Sequence, residues 1–227
     1  MRVHVAFTPA EAVRAPVAVV VDVLRATSTI AQALASGYRR VLCCAEVEEA
    51  RELRDRLGEG VLAGERLARA IPGFDLGNSP AEFVEPRGET VILTTTNGTR
   101  AIVAAAAAAE TVLVGSLLNL DAVATTARGG GTDVEVVCAG VDGRFTLDDA
   151  YCAGRIAELI EGERSDAAEA AVRLARSFTT AEEGLRAAAN PRQEALGDDL
   201  AWCARESVLT VVPRLARLEG PAAQIVS

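Results

Sequence analysis

Acidic, basic and hydroxyl side chains follow one another where an apolar segment ends. The segment "VVVDVLRATSTI" carries Asp22 inside its apolar run, and four polar residues come next: Arg25, Thr27, Ser28 and Thr29. A carboxylate in an apolar strand is costly to bury unless it meets a metal, a cation or several donors. Guanidinium, hydroxyls and the free N–H groups of a helix N-terminus bind oxyanions. The segment therefore predicts an oxyanion site, with a plain helix cap and an Asp22–Arg25 ion pair as the structural alternatives.

Two later segments repeat this chemistry. The segment "ILTTTNGTRA" contributes Thr96, Asn97, Gly98, Thr99 and Arg100. The segment "VCAGVDGRFTLDD" contributes Gly140, Gly143 and Arg144, and its glycines permit close backbone approach to a ligand. A threonine run is also ordinary strand and Asn-Gly an ordinary turn. Three arginine-bearing turns taken together predict an oxyanion-binding rim.

The third segment also carries the pattern of a different chemistry. Cys138 and Arg144 have the C-x5-R spacing with which cysteine phosphatases place a thiolate beneath a phosphate. No histidine precedes this cysteine, and no Ser or Thr directly follows the arginine. A nucleophilic cysteine and a buried structural cysteine are therefore both open interpretations.

The composition argues against several functional classes. A net charge of -9 and an aromatic content of 4% disfavour a nucleic-acid surface. All 23 basic residues are arginine, which excludes Schiff-base and Walker-type lysine chemistry. The single histidine, His4, lies in an alternating run typical of an edge strand. Five cysteines without a C-x-x-C pair, and no secretory or membrane-length apolar segment, predict a cytoplasmic protein with reduced thiols and no membrane contact.

Short β-branched runs alternate with amphipathic or alanine-rich runs, which is the pattern of an α/β protein. Strands are predicted over residues 17–23, 40–44, 61–64, 90–94, 111–115 and 134–138. Helices are predicted over residues 28–36, 47–57, 99–109, 121–128 and 146–160, with capping boxes at Ser79 and Thr146. We therefore expect a mostly parallel or mixed sheet with helices on both faces, and ligands at the carboxyl ends of its strands.

The C-terminal part of the chain changes to charged, alanine-rich sequence. It predicts helices over residues 166–177 and 180–189, a turn at Asn190-Pro191 and a last apolar strand over residues 208–212. We interpret residues 161–205 as a helical excursion that returns this strand to the sheet, with a small helical subdomain as the alternative. Residues 1–227 then form a single α/β domain, since this length is long for one core and short for two.

Four segments in this order resemble the 2-phosphosulfolactate phosphatase family: "DVLRATSTI", "GERLARAIPGFDLGNSP", "TTTNGTRA" and "VCAGVDGRFTLDD". The likeness covers roughly residues 17–155, and "GDDLAWCA" with the final apolar strand resembles the family's C-terminal part. It implies a magnesium-dependent acid phosphatase of an α/β fold. Such an enzyme hydrolyses the phosphate ester of 3-sulfolactate in the route to coenzyme M and accepts related 2-hydroxy-acid phosphates. The phosphate, carboxylate and sulfonate of that substrate would meet the three arginine-bearing turns.

The resemblance also implies site residues, segment by segment. Catalytic roles fall to Asp22, Arg25 and Arg144. Substrate-binding roles fall to Thr27, Ser28, Thr29, Arg66, Asn78, Thr96, Asn97, Gly98, Thr99, Arg100, Gly140 and Gly143. Magnesium prefers oxygen ligands and usually takes one or two carboxylates, so we expect it at Asp22 and Glu65, with Asp148 next. A salt bridge at Glu65 and helix-terminal charge at Asp148 are the structural alternatives.

The expected reaction is metal-assisted attack of water on a phosphoryl group, with arginine stabilising the transition state. The sequence does not distinguish direct attack of water from a phosphoenzyme intermediate. A homodimer is a further possibility. Magnesium is the expected cofactor, and a small anionic phosphorylated molecule is the expected partner. Two other functional classes could use the same rim: a phosphotransferase acting on a small anionic metabolite, which needs an acceptor, and a non-catalytic anion-binding protein, which releases no phosphate.

Overall fold

The computed structural model describes residues 1–12, 15–188 and 196–227, and its strands form one mixed sheet. The strands are β1 (Arg2–Ala6), β2 (Val17–Val21), β3 (Arg40–Cys44), β4 (Val61–Arg66), β5 (Arg69–Ala70), β6 (Thr90–Thr94), β7 (Thr111–Gly115), β8 (Val134–Cys138), β9 (Glu163–Arg164), β10 (Arg214–Glu219) and β11 (Ala222–Val226). Their order in the sheet is β5-β4-β6-β3-β11-β10-β7-β2-β8-β1-β9. The predicted α/β fold with a mostly parallel or mixed sheet is confirmed.

An antiparallel hairpin separates two parallel blocks of strands. β4, β6 and β3 run parallel to one another, and so do β7, β2, β8 and β1. The hairpin strand β11 pairs antiparallel with β3, and β10 pairs antiparallel with β7. Because three successive junctions are antiparallel, the two blocks run in opposite directions along the sheet. The C-terminal hairpin thus occupies the middle of the sheet.

Helices cover both faces of the sheet, as predicted. They are α1 (Ala26–Ala35), α2 (Val47–Leu57), α3 (Gly98–Ala106), α4 (Leu120–Arg128), α5 (Leu147–Leu159), α6 (Asp166–Arg176), α7 (Ala181–Arg186) and α8 (Asp199–Cys203). Along β2, Val20 packs in one core with residues of α1 and α3, whereas Val19 and Val21 pack in another core with residues of α4 and α5. Strands of both blocks contribute to the core around α1, and that helix is buried along almost its whole length.

The local sequence explains where several helices begin and end. α2 begins with a capping box in which Glu46 and Glu49 bond each other's backbone N–H groups. It ends at Gly58, whose φ of 71° lies in the left-handed region that favours glycine. The capping box predicted at Ser79 opens a short 3-10 helix, Pro80–Phe83. The one predicted at Thr146 is not formed, because Thr146 precedes α5 but its side chain makes no capping hydrogen bond. No helix among the described residues is both long enough and apolar enough to span a lipid bilayer.

The C-terminal part of the chain corrects one prediction. Residues 208–212, predicted as the last strand, have no regular structure, and the N–H of Leu209 instead donates to the carbonyl of Leu118. The chain returns to the sheet as the hairpin of β10 and β11. The first of these strands is rich in exposed charged residues, so it lacks the apolar run by which a strand is recognised. The predicted turn at Asn190-Pro191 lies outside the described residues.

The helices that precede the hairpin do not stand apart from the sheet. Apolar side chains of α6, α7 and α8 lie in the same core as those of β1, β2 and β8. Ala171 and Val172 of α6, Leu185 of α7 and Leu200 of α8 are buried there. α8 is thereby fixed against the part of the sheet that ends in Asp22.

Candidate active site

The loops that follow β2, β4, β6 and β8 meet at one pocket of about 40 Å³. Its lining residues are Asp22, Leu24, Arg25, Glu65, Ala68, Asn78, Asn97, Gly140, Val141, Thr146, Asp148, Asp149 and Leu196. The site residues predicted from the sequence that the fold brings together here are Asp22, Arg25, Glu65, Asn78, Asn97, Gly140 and Asp148. The pocket therefore unites parts of all the segments in which chemistry was predicted.

Asp22 lies directly after β2, between the N-termini of two helices. Its carboxylate accepts hydrogen bonds from the backbone N–H groups of Ala26 and Gly98, the first residues of α1 and α3. The partial positive charge at both helix N-termini stabilises a carboxylate in this position. A β-carbon at position 98 would collide with Asp22 and Ala26. Glycine at position 98 is therefore what allows α3 to approach this close.

The pKa of Asp22 is raised from 3.8 to about 7. Removal from water is the largest cause, the charges of Glu65 and Asp148 add to it, and the two backbone hydrogen bonds offset only a part. Burial likewise raises the pKa of Asp148, and burial together with the charges of Asp148 and Asp22 raises that of Asp149. The pocket therefore concentrates negative charge, and Arg25 is the one cationic side chain among its described lining residues.

Glu65 ties the loop after β4 to the loop after β6. Its Oε1 accepts a hydrogen bond from the N–H of Thr96 and its Oε2 one from the N–H of Ala68, each at 2.7 Å. Leu67 and Ala68 have φ values of 55° and 63°, a left-handed conformation that non-glycine residues adopt at a cost. Glu65 thus holds a strained turn in place beside the pocket.

Asp149 ties the loop after β2 to the loop after β8. Its Oδ1 accepts a hydrogen bond from the N–H of Val23 and its Oδ2 one from the N–H of Gly140, each at 2.9 Å. The neighbouring Asp148 lines the pocket and accepts hydrogen bonds from the N–H of Asp149 and the hydroxyl of Thr146. Sequence reasoning missed Asp149, because an acidic residue in the first turn of a helix is ordinarily explained by the helix dipole.

Arg25 is held in the pocket by an ion pair with Asp199 of α8. Nη1 of Arg25 lies 2.6 Å from Oδ2 of Asp199, and each of the two side chains is only 9% exposed. Arg25 therefore pairs with a distant carboxylate instead of with Asp22, the partner considered from the sequence. Sequence reasoning missed Asp199 because 174 positions separate it from Arg25 and no spacing rule connects them. The only signal was the resemblance of "GDDLAWCA" to a family segment.

The hydroxyl residues at the start of α1 bond to the backbone. They are fully buried, with exposed fractions of 0–1%. Thr27, Ser28 and Thr29 donate to the carbonyls of Asp22, Val23 and Asn78, respectively. In the same way Thr99 bonds the backbone of Thr95 at the start of α3. These hydroxyls fix the turns that present Asp22 and the helix N-termini, and their contact with a substrate stays a prediction.

Several predicted residues do not line the pocket. These are Thr27, Ser28, Thr29, Arg66, Thr96, Gly98, Thr99, Arg100, Gly143 and Arg144. Arg66 donates to the carbonyl of Ala45 and the hydroxyl of Thr94. Arg100 is exposed and pairs with Glu46 at 2.8 Å. Arg144 is exposed as well. Because these arginines do not line the pocket, its wall contains more acidic than basic side chains.

The pocket contains oxygen atoms of the kind that Mg²⁺ binds in proteins. The carboxylates of Asp22, Glu65 and Asp148 supply the hard oxygen atoms that Mg²⁺ prefers. Oδ1 of Asn78 is buried and has no hydrogen-bond partner within the described part of the chain, which is costly unless a cation or ligand meets it. Across residues 1–12, 15–188 and 196–227, no group of three or more His, Cys, Asp or Glu side chains is arranged so that it could hold a metal ion.

Fold and pocket together define an α/β protein with a carboxylate-rich pocket that contains one arginine at its strand ends, an arrangement suited to hydrolysis of phosphate esters. The family model described as 2-phosphosulpholactate phosphatase matches residues 4–217. The chain belongs to the 2-phosphosulfolactate phosphatase family. The family resemblance predicted from the four sequence segments is confirmed.

Relatives match along nearly the whole chain. The 2-phosphosulfolactate phosphatase of Methanothermobacter thermautotrophicus is 40% identical over 94% of this chain and 92% of its own length. The probable 2-phosphosulfolactate phosphatase of Carboxydothermus hydrogenoformans is 38% identical over 97% of this chain and 95% of its own. That of Thermotoga maritima is 39% identical over 94% and 95%. The similarity therefore includes the C-terminal segment that carries Asp199.

Proposed function

We propose that this protein is a phosphatase that hydrolyses the phosphate ester of 2-phospho-3-sulfolactate or a closely related 2-hydroxy-acid phosphate. Membership of the family supports the reaction class. The observation that carries the proposal is the convergence of four carboxylates, one fixed arginine and two helix N-termini at one pocket. Carboxylates suit a divalent cation, whereas arginine and helix N-termini suit the phosphoryl group.

Magnesium is the proposed cofactor, and Asp22, Glu65 and Asp148 are proposed to hold it. When bound, the ion would neutralise charge on the phosphoryl oxygens and acidify a water molecule. Asp22 suits this role because its pKa of about 7 lets a cation displace its proton near neutral pH. The unpartnered Oδ1 of Asn78 is a further oxygen in the same pocket.

The protein's own groups then have separate tasks. Arg25 is placed to stabilise negative charge that develops on the phosphoryl group. A carboxylate that lines the pocket is proposed to orient or deprotonate the attacking water. Glu65 and Asp149 hold four loops at fixed separations through backbone N–H groups. Fixed donors and acceptors lower the barrier because they need no rearrangement during the reaction.

The pocket fits the phosphoryl group and leaves the remainder of the substrate at its mouth. A volume of 40 Å³ corresponds to about three water molecules. The carboxylate and sulfonate of the substrate would then meet side chains around the opening. Arg66 and Arg144 lie close along the chain to the lining residues Glu65 and Val141, and we assign them to these two anionic groups.

The experiment that tests the proposed function measures phosphate release from a panel of substrates. The panel contains 2-phospho-3-sulfolactate, 2-phospholactate, which lacks the sulfonate, and an aryl phosphate, which lacks both acid groups. We expect release from the first without any added acceptor, and lower kcat/KM for each analogue that lacks an anionic group. Release only in the presence of an acceptor alcohol would favour the phosphotransferase. Binding of phosphate without any release would favour the anion-binding protein.

The thiol alternative is disfavoured by the environment of Cys138. This side chain is fully buried and does not line the pocket. Burial, followed by the charge of Asp149, raises its pKa well above the usual range, so the nucleophilic thiolate is not available at neutral pH. Arg144, the partner in the C-x5-R pattern, is exposed.

Cys138→Ser is therefore expected to keep at least about half of the wild-type kcat/KM. Its cost should appear as a loss of stability of about 1–3 kcal/mol, since a hydroxyl replaces a thiol in an apolar core. Phosphate release and thermal unfolding measure the two effects. Thiol alkylation of the folded protein should leave activity unchanged. A folded but inactive serine variant, combined with activity that resists chelators, would instead make Cys138 the nucleophile.

We further propose that the reaction serves coenzyme M biosynthesis in the cytoplasm. The resemblance to the family supports the pathway. The five cysteines are all free and buried in the structure, which supports a reducing compartment. Formation of a homodimer stays a prediction.

A further inference from the structure

The ion pair between Arg25 and Asp199 connects the pocket to the C-terminal segment. Its Nη1–Oδ2 distance is 2.6 Å, and both side chains are 9% exposed. Burying two charged side chains costs free energy, unless the ion pair has good geometry and additional hydrogen bonds satisfy the remaining polar atoms. The stability of this pair therefore depends on the further groups that each partner contacts.

Both partners have a further contact that restricts them. Oδ1 of Asp199 accepts a hydrogen bond from the hydroxyl of Ser79 at 2.5 Å. Nη2 of Arg25 lies 3.5 Å from the carbonyl of Ala68, on the strained turn that Glu65 holds. The guanidinium is thus placed between the turn after β4 and α8, with Asp199 anchored to the start of the 3-10 helix.

We propose that Asp199 is a positioning residue for the phosphatase reaction, acting through Arg25. Asp199 does not line the pocket, whereas Arg25 does and is the one cation among the described lining residues. A free arginine side chain samples many rotamers, but its guanidinium can form two parallel hydrogen bonds to a phosphoryl group only in one orientation. Asp199 selects that orientation, so the placement of positive charge against the phosphoryl group depends on a residue of α8. This inference rests on the proposed function.

A double-mutant cycle tests the proposal. Asp199→Asn should lower kcat/KM about 100-fold, the scale expected when a catalytic group is displaced by about 1 Å. Arg25→Ala should lower it about 100- to 1,000-fold. In the Arg25→Ala background, Asp199→Asn should change kcat/KM less than about 3-fold, because its effect is exerted through the missing guanidinium. A residue with only a general structural role would give the same loss in both backgrounds.

A second readout makes the test independent of turnover. Calorimetric titration with inorganic phosphate in the presence of magnesium should show weaker phosphate binding by Asp199→Asn than by the wild-type protein. In the Arg25→Ala background, Asp199→Asn should change phosphate binding little. Glu206→Gln is the matched control, since Glu206 makes a 2.5 Å ion pair with Arg155 and neither residue lines the pocket. It should leave kcat/KM within about 2-fold, as expected for a pair outside the site.

The outcomes separate this inference from the proposed function. If the wild-type protein is active but the losses in kcat/KM are additive, the role of Asp199 is overturned and the phosphatase activity is not. Tighter phosphate binding by Asp199→Asn would have the same meaning. A wild-type protein that neither releases nor binds phosphate would overturn both. If Asp199→Asn fails to fold, Ser79→Ala replaces it in the cycle. That variant should lower kcat/KM about 5-fold, since it removes one neutral anchor of Asp199, and an unchanged value would contradict the proposal.

Discussion

Asp22→Asn is expected to abolish turnover and, at the same time, to raise the thermal stability of the metal-free protein at neutral pH. The loss of turnover should reach about 1,000-fold or more, because the change keeps the shape of the side chain and removes the charge that a cation requires. The gain in stability follows from the pKa of Asp22, which folding raises from 3.8 to about 7. Ionising this carboxyl at pH 8 costs the folded state about 4 kcal/mol.

The raised pKa of Asp22 makes the stability of the folded protein depend on pH. The folded state binds the Asp22 proton more tightly than the unfolded chain, so stability falls as the pH rises from about 4 to about 7. The Asp22→Asn variant lacks this contribution but loses about 2 kcal/mol, since its neutral amide accepts weaker hydrogen bonds from Ala26 and Gly98 than a carboxylate does. A net gain of about 2 kcal/mol corresponds to a melting temperature roughly 4–8 °C higher at pH 8.

Thermal unfolding in chelator between pH 5 and pH 8 measures this difference. The wild-type melting temperature should fall with pH more steeply than that of the variant, in which Asp148 and Asp149 still contribute in the same direction. Asp166→Asn is the matched control, because Asp166 also lies at a helix N-terminus but is exposed to solvent. It should affect neither the slope nor phosphate release. A wild-type protein whose stability rises between pH 5 and pH 8 would contradict the burial of an ionisable Asp22.

Gly98→Ala is expected to damage stability and activity together. The added β-carbon would lie closer than van der Waals contact to the carboxylate of Asp22 and the β-carbon of Ala26. Relief of this collision requires α3 to move away from α1, which should cost about 1–3 kcal/mol of stability. The same movement takes a helix N-terminus away from Asp22, and displacement on this scale should lower kcat/KM about 100-fold.

Circular dichroism melting and phosphate release test this prediction. Gly130→Ala serves as the control, since a β-carbon at position 130 would have Thr132 Oγ1 as its nearest atom, at an ordinary 3.6 Å. That variant should match the wild-type protein in both measurements. A Gly98→Ala protein with normal melting and normal kcat/KM would show that the close approach of α1 and α3 is not needed.

The sequence predicted those parts of the fold that local patterns encode. The apolar runs of β2 and β3 and the amphipathic run of α2 depend on neighbouring residues only, and these elements form close to where they were expected. β10 was missed because it lies in the middle of the sheet while most of its side chains are exposed and several are charged. Its place depends on pairing with β7 and β11, which no local pattern records.

The same distinction applies to the candidate site. Asp22 could be found because a carboxylate interrupts an apolar run of the sequence, and its burial in the structure raises its pKa. Asp149 and Asp199 could not, since an acidic residue near a helix start has an ordinary explanation and their partners lie far away in the sequence. Thr27 and its neighbouring hydroxyl residues were recognised as polar, but the sequence did not show that their hydrogen bonds go to the backbone.

Phosphate release during magnesium titration tests the central claim most directly. The protein is first stripped with a chelator, and release from 2-phospho-3-sulfolactate is then followed as magnesium is added back. We predict no release in chelator and a saturable recovery with magnesium in the wild-type protein, with no recovery in Asp22→Asn, because the excess negative charge around Asp22 requires a cation before a phosphate ester can approach. Full release in the presence of chelator would contradict the account.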